Sequence, residues 1–342
     1  MDTATVLCGA SSRKHRIAEG LLKELRILIR ERLDLIEMGS SYINKMQKYL
    51  ELMNIKLRNV ISQIHGASGL RILKAIISGE RDPEKLVILC HESIRNKKRE
   101  DLIKSLEGNY HPSYILLLKE NLRLWEEHQA SVLYIERQIE ILLEKTNQDN
   151  HHIEVTSPNS PSRHHQPQIK ELHRTMVQMY GGVNLASIAG INDSTMLRLL
   201  GEVGKDMSRF PDRKNFVIWL GLSLKNKQSG KMKKRIKSAA NHAGLIFRQS
   251  AQSLLTSKHC VIGVFMRRLK GRKGSRVAIK AGARKIAEAF YDTLTRGMDY
   301  VELGVEKYIE HVKLKELQLL NKIAKKHNCQ LSVKQNITQL CH

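Results

Sequence analysis

The chain has 342 residues, enough for two or three domains with full cores, and 58 Lys and Arg against 34 Asp and Glu leave a formal net charge of +24. That surplus points to nucleic acid as the partner: the opening MDTATVLCGA carries Asp2 and no basic start, and no apolar run reaches the roughly 18 to 20 residues that span a bilayer. Five scattered cysteines (Cys8, Cys90, Cys260, Cys329 and Cys341) show no C-x-x-C spacing, which fits a reducing compartment and argues against a disulfide framework or a zinc knuckle.

Residues 1–16 lack periodicity and are expected to be poorly ordered. From Leu22 an apolar residue recurs every seven positions, at Ile29, Ile36, Ile43, Leu50 and Leu57, with Leu25, Met46, Met53 and Val60 in a companion seam. This spacing predicts a long helix with a coiled-coil face. Arg32 and Gly39 interrupt the seam. Turn signals at residues 65–69 and 79–83 bracket a short apolar helix over 70–77, a small helical cap. After Gly108 and Pro112 a second long helix carries Leu118, Trp125, Val132 and Ile139 at spacing seven, with Ile135 and Leu142 beside them. The two long helices, together residues 17–146, form either a dimerisation arm or an intramolecular helical hairpin.

Residues 147–167 (NQDNHHIEVTSPNSPSRHHQP) have no apolar period and read as a linker. The pairs His151-His152 and His164-His165 have no Cys or carboxylate at ligand spacing, so no metal site is assigned. A second domain is expected over 168–327, followed by a tail over 328–342. Within it, residues 185–192 with a turn at Gly190, then a helix over 194–201 capped by Asp193, suggest a helix-hairpin-helix element whose backbone N–H groups can hold a DNA phosphate. A plain helix-helix turn is the other reading. Phe210, Phe216, Trp219 and Leu220 are expected to anchor the core. The expected fold is therefore mainly α: a coiled-coil-like arm, then a helical C-terminal domain.

From Arg213 through Ala287 there are 20 Lys or Arg in 75 positions and no acid. Lys225, Lys227, Lys231, Lys233, Lys234, Arg235 and Lys237 surround Ser229-Gly230 in what reads as a loop, and Asn241 and Arg248 follow. A second cluster holds Arg267, Arg268, Lys270 and Lys273, with Gly271 and Gly274 allowing the backbone to approach phosphate. Arg284 and Lys285 follow on a helix over 278–294, and a last amphipathic helix is expected over about 300–326. These cations, with Gly190, are the candidate DNA-binding residues. Ser229 is the candidate nucleophile, or else a turn residue: a serine hydroxyl needs a base or an electropositive site to attack phosphorus.

Read in order, Ala189-Gly190-Ile191, residues 202–211 (EVGKDMSRFP), Trp219-Leu220-Gly221-Leu222, Asn226-Lys227, Ser229-Gly230, Ala240-Asn241, residues 251–254 (AQSL), Arg267-Arg268 and Ala283-Arg284-Lys285 resemble the C-terminal transposase domain of the insertion sequence 110/116/902 family. Upstream, Leu25-Arg26, Asn44, residues 54–57, 66–69 and 79–83, and Lys97-Lys98 are similar to that family's helical arm, so the resemblance covers roughly residues 20 to 335. It implies an RNA-guided DNA recombinase that moves an insertion sequence. A RuvC-like domain would supply four carboxylates and magnesium, and a serine, here Ser229, would bond covalently to DNA. No residues of this sequence match those carboxylates, which implies a truncated transposase, inactive alone. It implies as partners DNA, the element's guide RNA and a second copy through the arm, and as location the prokaryotic cytoplasm, at the nucleoid. The family often has a Pro before Gly190, a Cys-Pro-Asp where Ser223-Leu224-Lys225 stands, and a second Gly after Gly230. The alternative is a non-enzymatic helical nucleic-acid-binding or accessory assembly protein.

Overall fold

The computed structural model describes residues 3–147, 155, 166–223, 226–229, 232–235, 239–257, 260–297 and 305–327; within these, the side chains of 3–19, 226–229, 232–235, 305–308 and 311 are outside the description. The histidine pairs of the linker and the tail over 328–342 lie outside the described residues. The fold is mainly helical, and the chain divides into two compact units: Met1–Asp149 with Asn159–Leu172, and Asn150–Pro158 with His173–His342.

The first unit is built on α1 (Thr3–Leu52), whose bounds take in residues 3–16, and α5 (Pro112–Asn147). The two helices run antiparallel: Glu24 and Leu28 share a cleft with Leu142 and Lys145, Arg32 meets Glu136, and Gly39 lies beside His128 and Gln129. The arm is thus a hairpin within one chain. Its seam includes the two positions that interrupt the apolar period: Leu25, Arg32, Gly39, Met46 and Met53 follow at spacing seven, and all are buried. Arg32 Nε donates to Glu136 Oε1 at 2.7 Å, with both side chains about 5% exposed or less. Glu136 Oε2 accepts the Gln168 backbone N–H at 2.9 Å, and Glu140 accepts that of Lys170 at 3.2 Å. Residues 166–172 therefore run along α5, although the sequence places the domain start at 168.

Asn54, at φ 60°, ends α1 in the left-handed conformation that Asn tolerates. The cap follows as α2 (Ala67–Ile77), α3 (Pro83–Ile88) and α4 (Glu92–Leu106). Asp82 caps α3 by accepting the Glu84 N–H at 3.0 Å, with Pro83 in the first turn, where its missing N–H costs nothing. Ile72, Leu73 and Ile76 of α2, Leu86 of α3 and Leu102 and Leu106 of α4 close one core with Met46, Leu50, Met53, Leu118 and Leu122.

The second unit contains α6 (Leu172–Met179), α7 (Asp193–Glu202), α8 (Arg213–Trp219), a two-stranded ribbon of β1 (Asn226–Ser229) and β2 (Met232–Arg235), α9 (His242–Leu254), α10 (Val261–Lys273), α11 (Ser275–Arg296) and α12 (Val305–Lys326). Its centre is aromatic: Phe216 stacks on Phe290 at 6.1 Å and meets Phe247 edge-on at 6.2 Å, and all three are fully buried. Tyr291 Oη donates to the Phe210 carbonyl at 2.9 Å, and Tyr180 Oη to that of Met196 at 3.1 Å. Complete burial holds the Tyr180 phenol well above its ordinary pKa. Trp219 corrects the expected core: it is 40% exposed, because α8 ends there and turns its last face outward. The Arg209 guanidinium lies 5.0 Å over that indole and 4.7 Å over Phe210.

Candidate nucleic-acid interface

The basic stretch around Ser229 folds as an antiparallel ribbon, not as a loop. Asn226 pairs with Arg235, Lys227 with Lys234, Gln228 with Lys233 and Ser229 with Met232. Ser229 is therefore the last paired residue of β1, with two residues of sequence between it and its partner. Lys227 opposite Lys234 sets like charges across the ladder, an arrangement that costs stability unless an anion lies near. The Ser229 hydroxyl and the side chains of Lys227, Lys233, Lys234 and Arg235 lie outside the described residues, as do Lys225, Lys231 and Lys237 entirely.

Of the root of the ribbon, residues 219–223 and 239–241 are described, and 224–225 and 236–238 are not. Its outgoing leg leaves α8 through Gly221, at φ +69°, and Leu222, whose N–H returns to the Val217 carbonyl at 3.1 Å. The returning leg crosses there: a Cβ on Gly221 would sit 2.2 Å from the Ala239 carbonyl oxygen. Asn241 then ties both legs together. Its Oδ1 accepts the Gly244 N–H at 2.8 Å, capping α9, while its Nδ2 donates to the Trp219 carbonyl at 3.0 Å. Its amide is thus engaged with backbone of its own chain. Asn241→Ala is expected to lower the stability of this unit by about 1 to 2 kcal/mol, the size of a lost N-cap, and thermal unfolding of the full chain reads it.

Lys280 of α11 reaches the same root, its Nζ donating to the Ser223 carbonyl at 3.3 Å. In sequence it is one of the 20 cations of the acid-free stretch and stands outside both dense clusters, so only the fold distinguishes it. Arg248 of α9 is half-buried, and no carboxylate lies within ion-pair distance of it among the described residues.

The second basic cluster lies on α10 and α11. Gly271 is inside α10, so its N–H belongs to the helix and is closed to phosphate, a correction to the expected open backbone; Gly274, at φ 82°, joins the two helices. Arg267 donates to the Ser257 carbonyl, and Lys285 Nζ stands 4.9 Å over the Phe265 ring. Lys270 and Lys273 are exposed. The stretch without acids is partly balanced by acids beyond its end: Arg213 pairs with Asp292 at 3.0 Å, Arg284 with Glu288 at 2.8 Å, and Arg268 with Glu316 of α12.

The turn at Gly190 follows a 3₁₀ segment, Leu185–Ser187. Gly190, at φ +89°, packs on α9, where an added Cβ would lie 3.1 Å from the Ser250 carbonyl oxygen and from Leu254. Close approach of two backbones explains this glycine. The helix cap is Asn192, not Asp193. Asn192 Oδ1 accepts the Thr195 N–H at 2.8 Å, and Asp193, one residue into α7, instead meets His173 Nδ1 of α6 at 2.6 Å. An Asx cap must stand before the first helical residue with extended backbone, as Asn192 does at φ −125°, ψ 177°.

Among the described residues no three His, Cys, Asp or Glu side chains converge in a group that could hold a metal ion, and no helix is long and apolar enough to cross a membrane. Buried Cys90 and Cys260 are free thiols. A search of curated protein sequences finds no match. The model of a family described as the Transposase IS116/IS110/IS902 family matches residues 183–258, the stretch that runs from the turn before α7 through the ribbon to the end of α9.

Proposed function

We propose that this chain binds DNA and acts in DNA transposition, with Ser229 standing where the attacking hydroxyl of a recombinase would stand. The observation that carries the reading is the match of residues 183–258 to a transposase family, because that span contains the Ser229 ribbon. The cation density of residues 213–287 and the like-charged ladder of the ribbon support a polyanionic partner. In the reaction, Ser229 Oγ attacks a DNA phosphorus, the bond from phosphorus to a deoxyribose oxygen breaks, and the serine proton ends on that leaving oxygen. Magnesium would supply electrostatic stabilisation of the phosphoryl oxygens. The described residues do not fit a magnesium site, so on this reading a RuvC-like domain outside them provides its carboxylates. By the same reading the element's RNA guides target choice, a second copy of the chain is a partner, and the protein works in the cytoplasm at the nucleoid. Gly190 and the turn before α7 would approach the DNA backbone in a helix-hairpin-helix manner.

The test uses the full chain with magnesium, guide RNA, cognate DNA and a partner supplying the RuvC-like domain. A covalent serine–DNA adduct is expected, absent in Ser229→Ala. Salt-sensitive binding without any adduct would leave the non-enzymatic binding protein as the reading; no binding to DNA would sink both.

A further inference from the structure

We propose that Lys280 of α11 and Arg248 of α9 form a phosphate subsite at the root of the ribbon, where the DNA backbone is gripped as it passes toward Ser229. The inference rests on the DNA-binding reading above and names a contact within it.

Lys280 of α11 stands where the ribbon leaves the body of the unit, and Arg248 of α9 lies one helical turn beyond Gly244, whose added Cβ would sit 2.1 Å from the Leu220 carbonyl oxygen beside that root. Lys280 is anchored by its bond to the Ser223 carbonyl, which leaves the other two ammonium hydrogens for further acceptors. Arg248 lies close enough for its charge to act on Lys280: burial first, and then Arg248, hold the Lys280 ammonium below the usual lysine range. Neither side chain has a carboxylate within ion-pair distance among the described residues, while Arg213, Arg268 and Arg284 in the same stretch each have one. Partly desolvated like charges repel, and a fold that holds them together gains if an anion sits between them. A phosphodiester suits this pair. The fork of Arg248 can take two of its oxygens, and the ammonium of Lys280 acts as a point charge on a third position. The helix packing here is fixed by Phe247 of α9 against Phe290 of α11, 5.5 Å between ring centroids, so both cations project from a rigid base.

The experiment has two arms. In the first, the full chain binds a duplex oligonucleotide over a range of salt. Lys280→Gln and Arg248→Gln are each expected to reduce the slope of log affinity against log salt by about one, the loss of one phosphate contact, and Lys280→Arg to retain it. Thermal unfolding of each variant checks that the fold is kept. In the second arm, Lys280 is labelled with an amine-reactive reagent and read by mass spectrometry. Inorganic pyrophosphate should slow its labelling several-fold in the wild type and not in Arg248→Gln. Unchanged slopes with no protection overturn the subsite while DNA binding stands. If wild type binds no duplex, the DNA-binding reading falls, and protection by pyrophosphate alone upholds or overturns the anion site.

Discussion

Glu136→Ala is expected to destabilise the helical arm by about 3 to 5 kcal/mol, because it leaves the buried Arg32 guanidinium without its carboxylate and removes the acceptor of the Gln168 N–H. For a unit of this size that corresponds to a fall of roughly 10 °C in the unfolding temperature, read by circular dichroism on the full chain. Two comparisons isolate the cause. Lys74→Ala breaks an exposed pair with Glu126 at 2.7 Å, where the side chains are 59% and 45% exposed, and should cost under about 1 kcal/mol. The double replacement Arg32→Leu with Glu136→Leu should recover much of the loss, since apolar residues of similar bulk often substitute for a buried pair without penalty. If Glu136→Ala proved no worse than Lys74→Ala, the pair would not hold the hairpin in its register.

Gly221→Ala is expected to have the largest effect on the ribbon. Two costs combine. A non-glycine residue in the left-handed region costs about 1 to 3 kcal/mol, and here φ is +69°. The new methyl would also meet the Ala239 carbonyl oxygen at 2.2 Å and Ala240 Cα at 2.9 Å, backbone atoms that cannot rotate away. The two legs must part at the point where they cross, and Ser229 at the far end moves with them. The serine–DNA adduct should fall by about 100-fold, as expected for a reacting group misplaced by about 1 Å. Gly271→Ala is the matched control: nothing lies within 4 Å of its added Cβ, and alanine in α10 should stabilise by about 0.5 to 1 kcal/mol. Equal adduct yields from Gly221→Ala and Gly271→Ala would show that the crossing does not position the serine.

Much of the fold was legible from local pattern. The seven-residue spacing from Leu22 and from Leu118 places both long helices, and Asp82-Pro83 and Gly108 mark where the chain turns, because these signals come from residues a few positions apart. The charge of the stretch over 213–287 is likewise a property of the sequence alone, as is the resemblance carried by its ordered motifs. What the sequence could not state is which distant residues answer one another. Arg32 and Gly39 look like faults in a zipper until Glu136, 104 positions away, supplies a carboxylate to one and the flank of α5 closes on the other. The charged strands of the ribbon lack the apolar alternation by which strands are read, so only their pairing reveals them. Asn192 and Asp193 are equally good caps by type, and the His173 partner across 20 positions assigns their roles. Lys280 and Arg248 are two cations among 20 until helix packing brings them to one root. Periodicity, turn chemistry and net charge were therefore determined by the sequence itself, being local or additive. Pair partners, register and exposure were decided by the tertiary structure, because each depends on what a residue meets after the chain has closed on itself.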